Sequence, residues 1–507
     1  MHHFRLSSVI ASIFVLAPAC TVDKNSPATS DTDPDSSSSS TGVGGESTGT
    51  TDPDQAALDA VFEDAVSQGF TGVALVRRDG EVLFHEAAGL ADRENNISLA
   101  PETPVVIGSI TKQFTGAAVL LLHERGLLEL DDSIGTLLPG VPDDKAGITV
   151  HQLLTHTSGA PGLLGPDDEE IGRDAYLQRF FDTPLEMEPG GVYSYSNTGY
   201  SVLAAIIEDL SGKGYQQFLH DEFFDPLGMH ETGHLLPAWD GLAPALGYLD
   251  DMVDDPLARP HDASGYYWNL RGNGGLISTA EDLLLWDDAL STPDAILSAD
   301  SLELLTTPYV SEGDGAPTFY GYGWVVEDTP VGTMIWHDGG NGYFYSHLHR
   351  YVDADLQVVV LANENTDAAD TLPRQLAQAV SPELVPDTWE ILFLQEGLLD
   401  AASETIDFEV EVAAGETHLA AVTLLLTEGT AAWRLLGPDG AAVEDGTATP
   451  DTPQDGFFLI DGDPGTWRLE VDLEAATGES LFGWGRLIGQ GAPCPDGAEC
   501  VELPAQP

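Results

Sequence analysis

Positive charge is what this sequence most lacks: 18 Lys and Arg stand against 84 Asp and Glu in 507 residues, a formal net charge of -66. Acids spread along the whole chain repel phosphate backbones and anionic lipid surfaces alike, which argues against nucleic acid as a partner. They also keep a protein dispersed in concentrated salt, where screening weakens self-repulsion. Long apolar runs are missing as well. Past the N-terminus none reaches the ~20 residues of a bilayer crossing, so no internal span is expected. Cysteine is scarce, with Cys20, Cys494 and Cys500 the only three. In an exported protein the last two are near enough in sequence to close a small disulfide loop, the alternative being two free thiols.

What is present divides the chain into several parts, as expected for a length beyond one ordinary core. His2, His3 and Arg5 precede an apolar stretch through Leu16 and then Ala17-Pro18-Ala19-Cys20, the outline of a signal peptide over residues 1–20. A lone cysteine after small residues resembles a bacterial lipobox, with Cys20 the lipidation candidate. The expected location is exported: the cell envelope or the medium, with membrane contact only through such an anchor. Residues 21–56 are Ser, Thr, Asp, Gly and Pro with almost no large apolar side chain. Such a segment cannot bury enough surface to offset ordering entropy, and it reads as a tether. From 57 to 390 a hairpin signal at Asp79-Gly80, a mainly helical and loop region over 111–290, and strands at 320–327, 333–336, 344–351 and 356–362 predict an α/β (α+β) domain. Its antiparallel sheet would be built from both ends of the region, with helices packed on it and a helical subdomain beside it. Short strand-like runs over 401–490 predict a small accessory β-sandwich, and 491–507 a C-terminal tail.

Three short patterns carry chemistry. Ser109-Ile110-Thr111-Lys112 precedes an apolar stretch long enough for a buried helix, which would place Lys112 one turn from Ser109 on the same face. A buried amine loses hydration as a cation, so it can take the serine proton near neutral pH. Lysine occurs only at 24, 112, 145 and 213, so one falling three places after a given serine is expected in about one case in a hundred. Tyr195-Ser196-Asn197 adds a phenol that can relay a proton to a leaving group and an amide that can hold a substrate carbonyl or the lysine. His337-Asp338-Gly339-Gly340 ends a predicted strand where two glycines let a substrate lie along the edge.

Taken in order, Ser-x-x-Lys, Tyr-x-Asn and His-x-Gly resemble the motifs of the serine β-lactamase and penicillin-binding-protein superfamily, in the class C-like branch with tyrosine in motif two. The resemblance covers roughly residues 58 to 380. It implies acylation of Ser109, proton traffic through Lys112 and Tyr195, an oxyanion hole from the Ser109 and Gly340 amides, and no metal or cofactor. The substrate would be a small molecule or peptide. Many relatives carry Lys-Thr-Gly or His-Thr-Gly where this chain has His337-Asp338-Gly339. An ionised Asp338 facing the site would repel a substrate carboxylate, which favours esters, amides or cationic groups. The expected function is therefore an esterase, amidase or peptidase, with a β-lactamase or D-alanyl-D-alanine carboxypeptidase as the alternative.

Two readings from other classes compete. His230-Glu231-Thr232-Gly233-His234 satisfies the His-Glu-x-x-His zinc pattern, which requires both histidines on one regular helix. Pro226, Gly228 and Gly233 argue against that helix. An inactive surface-binding protein is the other, and the joint presence of Ser109, Lys112, Tyr195 and Asn197 speaks against it.

Overall fold

The computed structural model describes residues 53–235, 239, 242–262, 265–313 and 316–385, and beyond these the strands between 387 and 503 with their shorter connections. The signal peptide, Cys20, the tether to Asp52 and the Cys494 end of the expected disulfide lie outside the described residues. Chain contacts divide the molecule into a unit over Pro53–Leu384 and a second from Val385 onward. This corrects both expected boundaries. Helix α1 (Pro53–Ser67) starts inside the stretch read as tether, with proline in the first turn where its missing N–H costs nothing. A strand occupies Asp387–Leu399, where the sequence reading ended one domain and left a connection.

The first unit is built on an eight-stranded antiparallel sheet. Its strands in chain order are β1 (Gly72–Arg78), β2 (Glu81–Ala88), β3 (Val310–Ser311), β4 (Thr318–Tyr320), β5 (Val325–Thr329), β6 (Gly332–Gly340), β7 (Tyr345–Tyr351) and β8 (Leu356–Ala362). The spatial order is β3-β4-β5-β6-β7-β8-β1-β2, so both ends of the unit meet where β1 pairs with β8, Gly72 opposite Ala362. Neither strand shows polar alternation because each is buried on both faces. Val73, Leu75, Val359 and Leu361 face one core, and Ala74, Val76, Val358 and Val360 face the other. The second core is closed by α1 and by a C-terminal helix spanning Asp367–Val380, through Leu58, Phe62, Leu372 and Leu376.

The first core is helical. Helix α2 (Thr111–Glu124) is buried on nearly every side, with Phe114 in contact with the rings of Phe224 and Trp286. Helix α3 (Asn197–Ser211) starts at an N-cap, where Ser196 Oγ accepts the Gly199 N–H at 3.0 Å, and stops at Gly212 in the left-handed region (φ 67°). The single strand expected over 320–327 is broken into β4 and β5. Between them Gly323 (φ 86°) leaves so little room that a Cβ there would lie 2.5 Å from the Lys112 carbonyl oxygen. The break lets the sheet backbone rest directly on α2.

In the second unit all described pairings are antiparallel. Two long strands, Thr417–Leu436 and Gly465–Gln490, pair along most of their length and exchange outer partners midway. The first takes Gln454–Asp461 and then Ala442–Ala448; the second takes Ile406–Val412 and then Asp387–Leu399. The ladder between them slips near Leu426 to Thr430, where the partners change. Bulges at such points increase local twist and bend a strand.

Candidate active site

Ser109 sits in a short 3-10 turn, Gly108–Ile110, that leads into α2 rather than in the helix itself. The turn is held from two sides: Ile107 N donates to the Leu276 carbonyl at 2.9 Å, and Ser346 Oγ on β7 donates to the Val106 carbonyl at 3.0 Å. Lys112, in the first turn of α2, is fully buried. Its Nζ lies 2.9 Å from Ser109 Oγ and 2.7 Å from the Asn273 carbonyl oxygen. The Asn273 side chain is itself fixed on Ser201 Oγ and the Asn269 carbonyl at 2.8 and 2.9 Å. Burial pushes the Lys112 amine well below its usual 10.5, and the Asp338 and Asp167 carboxylates pull it part of the way back. A neutral amine at this distance can accept a hydroxyl proton.

The phenol of Tyr195 comes to the same oxygen. Burial raises it above the ordinary tyrosine range, and the neighbouring Ser109 hydroxyl opposes that rise. Lys112 Nζ stands 4.7 Å from the centre of its ring. The loop carrying Tyr195 is ordered by His156, whose Nδ1 accepts the Ser196 N–H at 3.0 Å and whose carbonyl accepts the Ser194 N–H at 2.9 Å. The His156 ring lies 4.4 Å from that of Tyr195. Asn197 begins α3, and its buried amide oxygen has no hydrogen-bond partner among the described residues. The lysine is instead held by a backbone carbonyl, that of Asn273.

Strand β6 brings the third group. Its pairing with β5 ends at Trp336 opposite Val325, while its pairing with β7 continues to Gly340, so residues 337–340 keep one open edge. His337 Nδ1 lies 2.5 Å from the Asp338 carbonyl oxygen and Nε2 lies 3.0 Å from the Tyr320 hydroxyl. A ring nitrogen against a carbonyl must donate, so Nδ1 carries the proton and Nε2 accepts from Tyr320. Burial holds the ring down to about 4, against the pull of the Asp338 carboxylate, which makes His337 neutral at neutral pH. The Asp338 side chain turns to the opposite face of the strand, where the Tyr345 hydroxyl donates to it at 3.3 Å. Asp338 therefore does not face the nucleophile as the sequence argument required; its charge still reaches Lys112 and Tyr195 through space.

Gly339 rests on the serine turn. A Cβ on it would lie 2.1 Å from the Ile107 carbonyl oxygen and 2.7 Å from Ser109 N, and one on Gly108 would lie 2.9 Å from Gly340 N. The two amides expected to bind an oxyanion thus lie along one backbone contact. By contrast, the His-Glu-x-x-His segment is not a helix. Gly233 pairs with Ile277, Glu231 N and Thr232 Oγ1 bond to Asp282, and the His234 ring packs on Tyr266. The one-turn spacing of the zinc pattern does not exist here.

Sequence reasoning missed Asn273 and Tyr320. Asn273 works through its backbone carbonyl, which leaves no side-chain signature, and Tyr320 was one aromatic in a predicted strand. Comparison with known proteins agrees with the geometry. The Beta-lactamase family model matches residues 58–381. A penicillin-binding protein of Bacillus subtilis is 32% identical over 321 residues, which cover 59% of this chain and 69% of that protein. Esterase EstB of Burkholderia gladioli is 30% identical over 361 residues, covering 61% and 90%. Among solved structures, a penicillin-binding protein from Bacillus halodurans superposes with a TM-score of 0.54 at 27% identity, over 64% of this chain and 98% of that one.

Proposed function

Since the chain belongs to the beta-lactamase family and is a serine hydrolase of that family, we propose that it acts as an esterase, amidase or peptidase through an acyl-enzyme on Ser109. The observation that carries this reading is the contact of a desolvated Lys112 with Ser109 Oγ at 2.9 Å. Neutral Lys112 takes the serine proton as Oγ attacks the substrate carbonyl, and the Ser109 and Gly340 amides receive the oxyanion. The tetrahedral adduct collapses as Tyr195 passes a proton to the leaving group, and water then hydrolyses the acyl-enzyme. With Asp338 turned away, what motif three still contributes to substrate preference is the lack of a cation. Where related enzymes hold a cation, this chain has the neutral ring of His337 with the Asp338 carboxylate behind it, and neither attracts a substrate carboxylate. We also read residues 1–20 as an export signal with Cys20 as lipid attachment. No helix among the described residues is long and apolar enough to cross a membrane.

Intact-mass analysis after brief exposure to an activated acetyl ester and, separately, to a penicillin tests the reading. The expected result is an acetyl adduct that Ser109→Ala abolishes and little or no penicilloyl adduct. A stable penicilloyl adduct would instead support the β-lactamase or carboxypeptidase alternative.

Leaving-group dependence tests Tyr195. In Tyr195→Phe, cleavage of an alkyl ester, whose alkoxide must be protonated, is expected to fall by about 10²-fold. Nitrophenyl ester cleavage should fall far less, since nitrophenolate leaves unprotonated. Equal losses on both would remove the proton-relay role.

A further inference from the structure

Beyond Gly340 the open edge of β6 leads into a cleft of about 270 Å³ lined by Asp167, Asp168, Asp254, Arg259, Asn341 and Tyr343. Strand residues advance about 3.3 Å each, so Asn341 lies roughly 13 Å along the chain from His337, which faces the Tyr195 end of the site. A substrate with its departing group near Tyr195 and its carbonyl at Gly340 would run its acyl chain along this edge toward the cleft.

The cleft has two polar features. Arg259, with a side chain only 9% exposed, gives Nε to Asp254 Oδ1 at 3.0 Å and Nη2 to Asp254 Oδ2. Its Nη1 is buried and has no hydrogen-bond partner among the described residues. An unpaired guanidinium N–H costs free energy until an acceptor reaches it, and Arg259 lines the cleft. Asp254 pairs with that cation, and Asp167 and Asp168, both exposed, add two carboxylates to the lining; desolvation raises the Asp167 carboxyl above its usual range and the Arg259 charge opposes that rise.

Resting on the serine-hydrolase reading, we propose that this cleft selects acyl groups bearing an acceptor oxygen for Arg259 Nη1 and a terminal ammonium for Asp167 and Asp168. A short aminoacyl chain with an amide carbonyl has that pattern. In the reaction the Ser109 Oγ to acyl-carbon bond forms and the bond from that carbon to the leaving atom breaks. The leaving atom takes the serine proton, and water later splits the ester to regenerate Ser109.

Four benzyl thioesters of nearly equal chain length test it by thiol release: β-alanylglycyl, butyrylglycyl, succinylglycyl and heptanoyl, which are cationic, neutral, anionic and without the amide. The β-alanylglycyl ester is expected to exceed the butyrylglycyl ester in kcat/KM by about tenfold, and the succinylglycyl ester to be the poorest. Asp168→Asn should shrink the cation preference several-fold, and added salt should shrink it in the parent protein. Arg259→Gln should remove the preference for butyrylglycyl over heptanoyl. Because each readout is a ratio within one protein, partial misfolding does not imitate it. Equal rates for cationic and anionic esters, or ratios unmoved by both substitutions, overturn the pocket assignment while acetyl-ester acylation still stands. Absence of any Ser109 adduct overturns the hydrolase reading and the pocket with it.

Discussion

Replacing Lys112 with methionine is expected to lower the rate of Ser109 acylation by about 10³-fold, in the middle of the range for loss of a positioned general base. Methionine keeps an unbranched, apolar side chain in a site that is already dry, so the change removes the base rather than the packing. Arginine, permanently charged, is expected to be no better than methionine, because the proton acceptor is the neutral amine. The parent protein adds a pH arm. Burial depresses Lys112 below 10.5, and the neutral form is the proposed base. Acylation should therefore climb as pH rises through the depressed value and be level well before 10.5. In Lys112→Met that climb disappears. The same depression links folding to pH: between the folded and unfolded values the unfolded chain binds one more proton at this site, so stability from Lys112 rises with pH across that interval. Stopped-flow acylation by an activated ester across pH checks both variants. A methionine variant that keeps the climb places the base elsewhere.

Much of this was readable from side-chain chemistry at close sequence spacing. Ser109 and Lys112 are three residues apart, and the turn into a buried helix brings their polar atoms together with little help from the rest of the fold. His337 and the two glycines were legible as a strand end for the same reason. What escaped was set by tertiary contact. The partner that holds Lys112 is a backbone carbonyl far along the chain. Asp338 alternates to the face opposite His337, and strand register alone decides that face. Arg259 gained meaning only when Asp254 occupied two of its nitrogens and left Nη1 without a partner among the described residues. The unit boundary was misplaced because Pro382 and Pro386 read as connection, whereas the residues after them join a sheet with strands far downstream.

Gly339→Ala is expected to lower acylation by at least about 10²-fold, the order of losing one oxyanion donor, while Gly340→Ala stays far closer to the parent. Both glycines belong to motif three, and side-chain chemistry does not distinguish them. Geometry does. A methyl group on Gly339 meets backbone, the Ile107 carbonyl oxygen at 2.1 Å and Ser109 N at 2.7 Å, so β6 and the serine turn must separate. Separation moves the Ser109 and Gly340 amides apart, and the proposed oxyanion hole needs both. It also loosens a tightly packed contact, which overpacking data place at about 1–3 kcal/mol, visible as a lower Tm. A methyl on Gly340 meets ring carbons of Tyr345 at 3.0 and 3.3 Å, and a side chain can yield by that amount. Acylation rates and thermal melts of the two variants decide the matter. A selective loss in Gly339→Ala makes the backbone contact the determinant of the oxyanion geometry, whereas equal loss in both would mean that a methyl obstructs the substrate along the open edge.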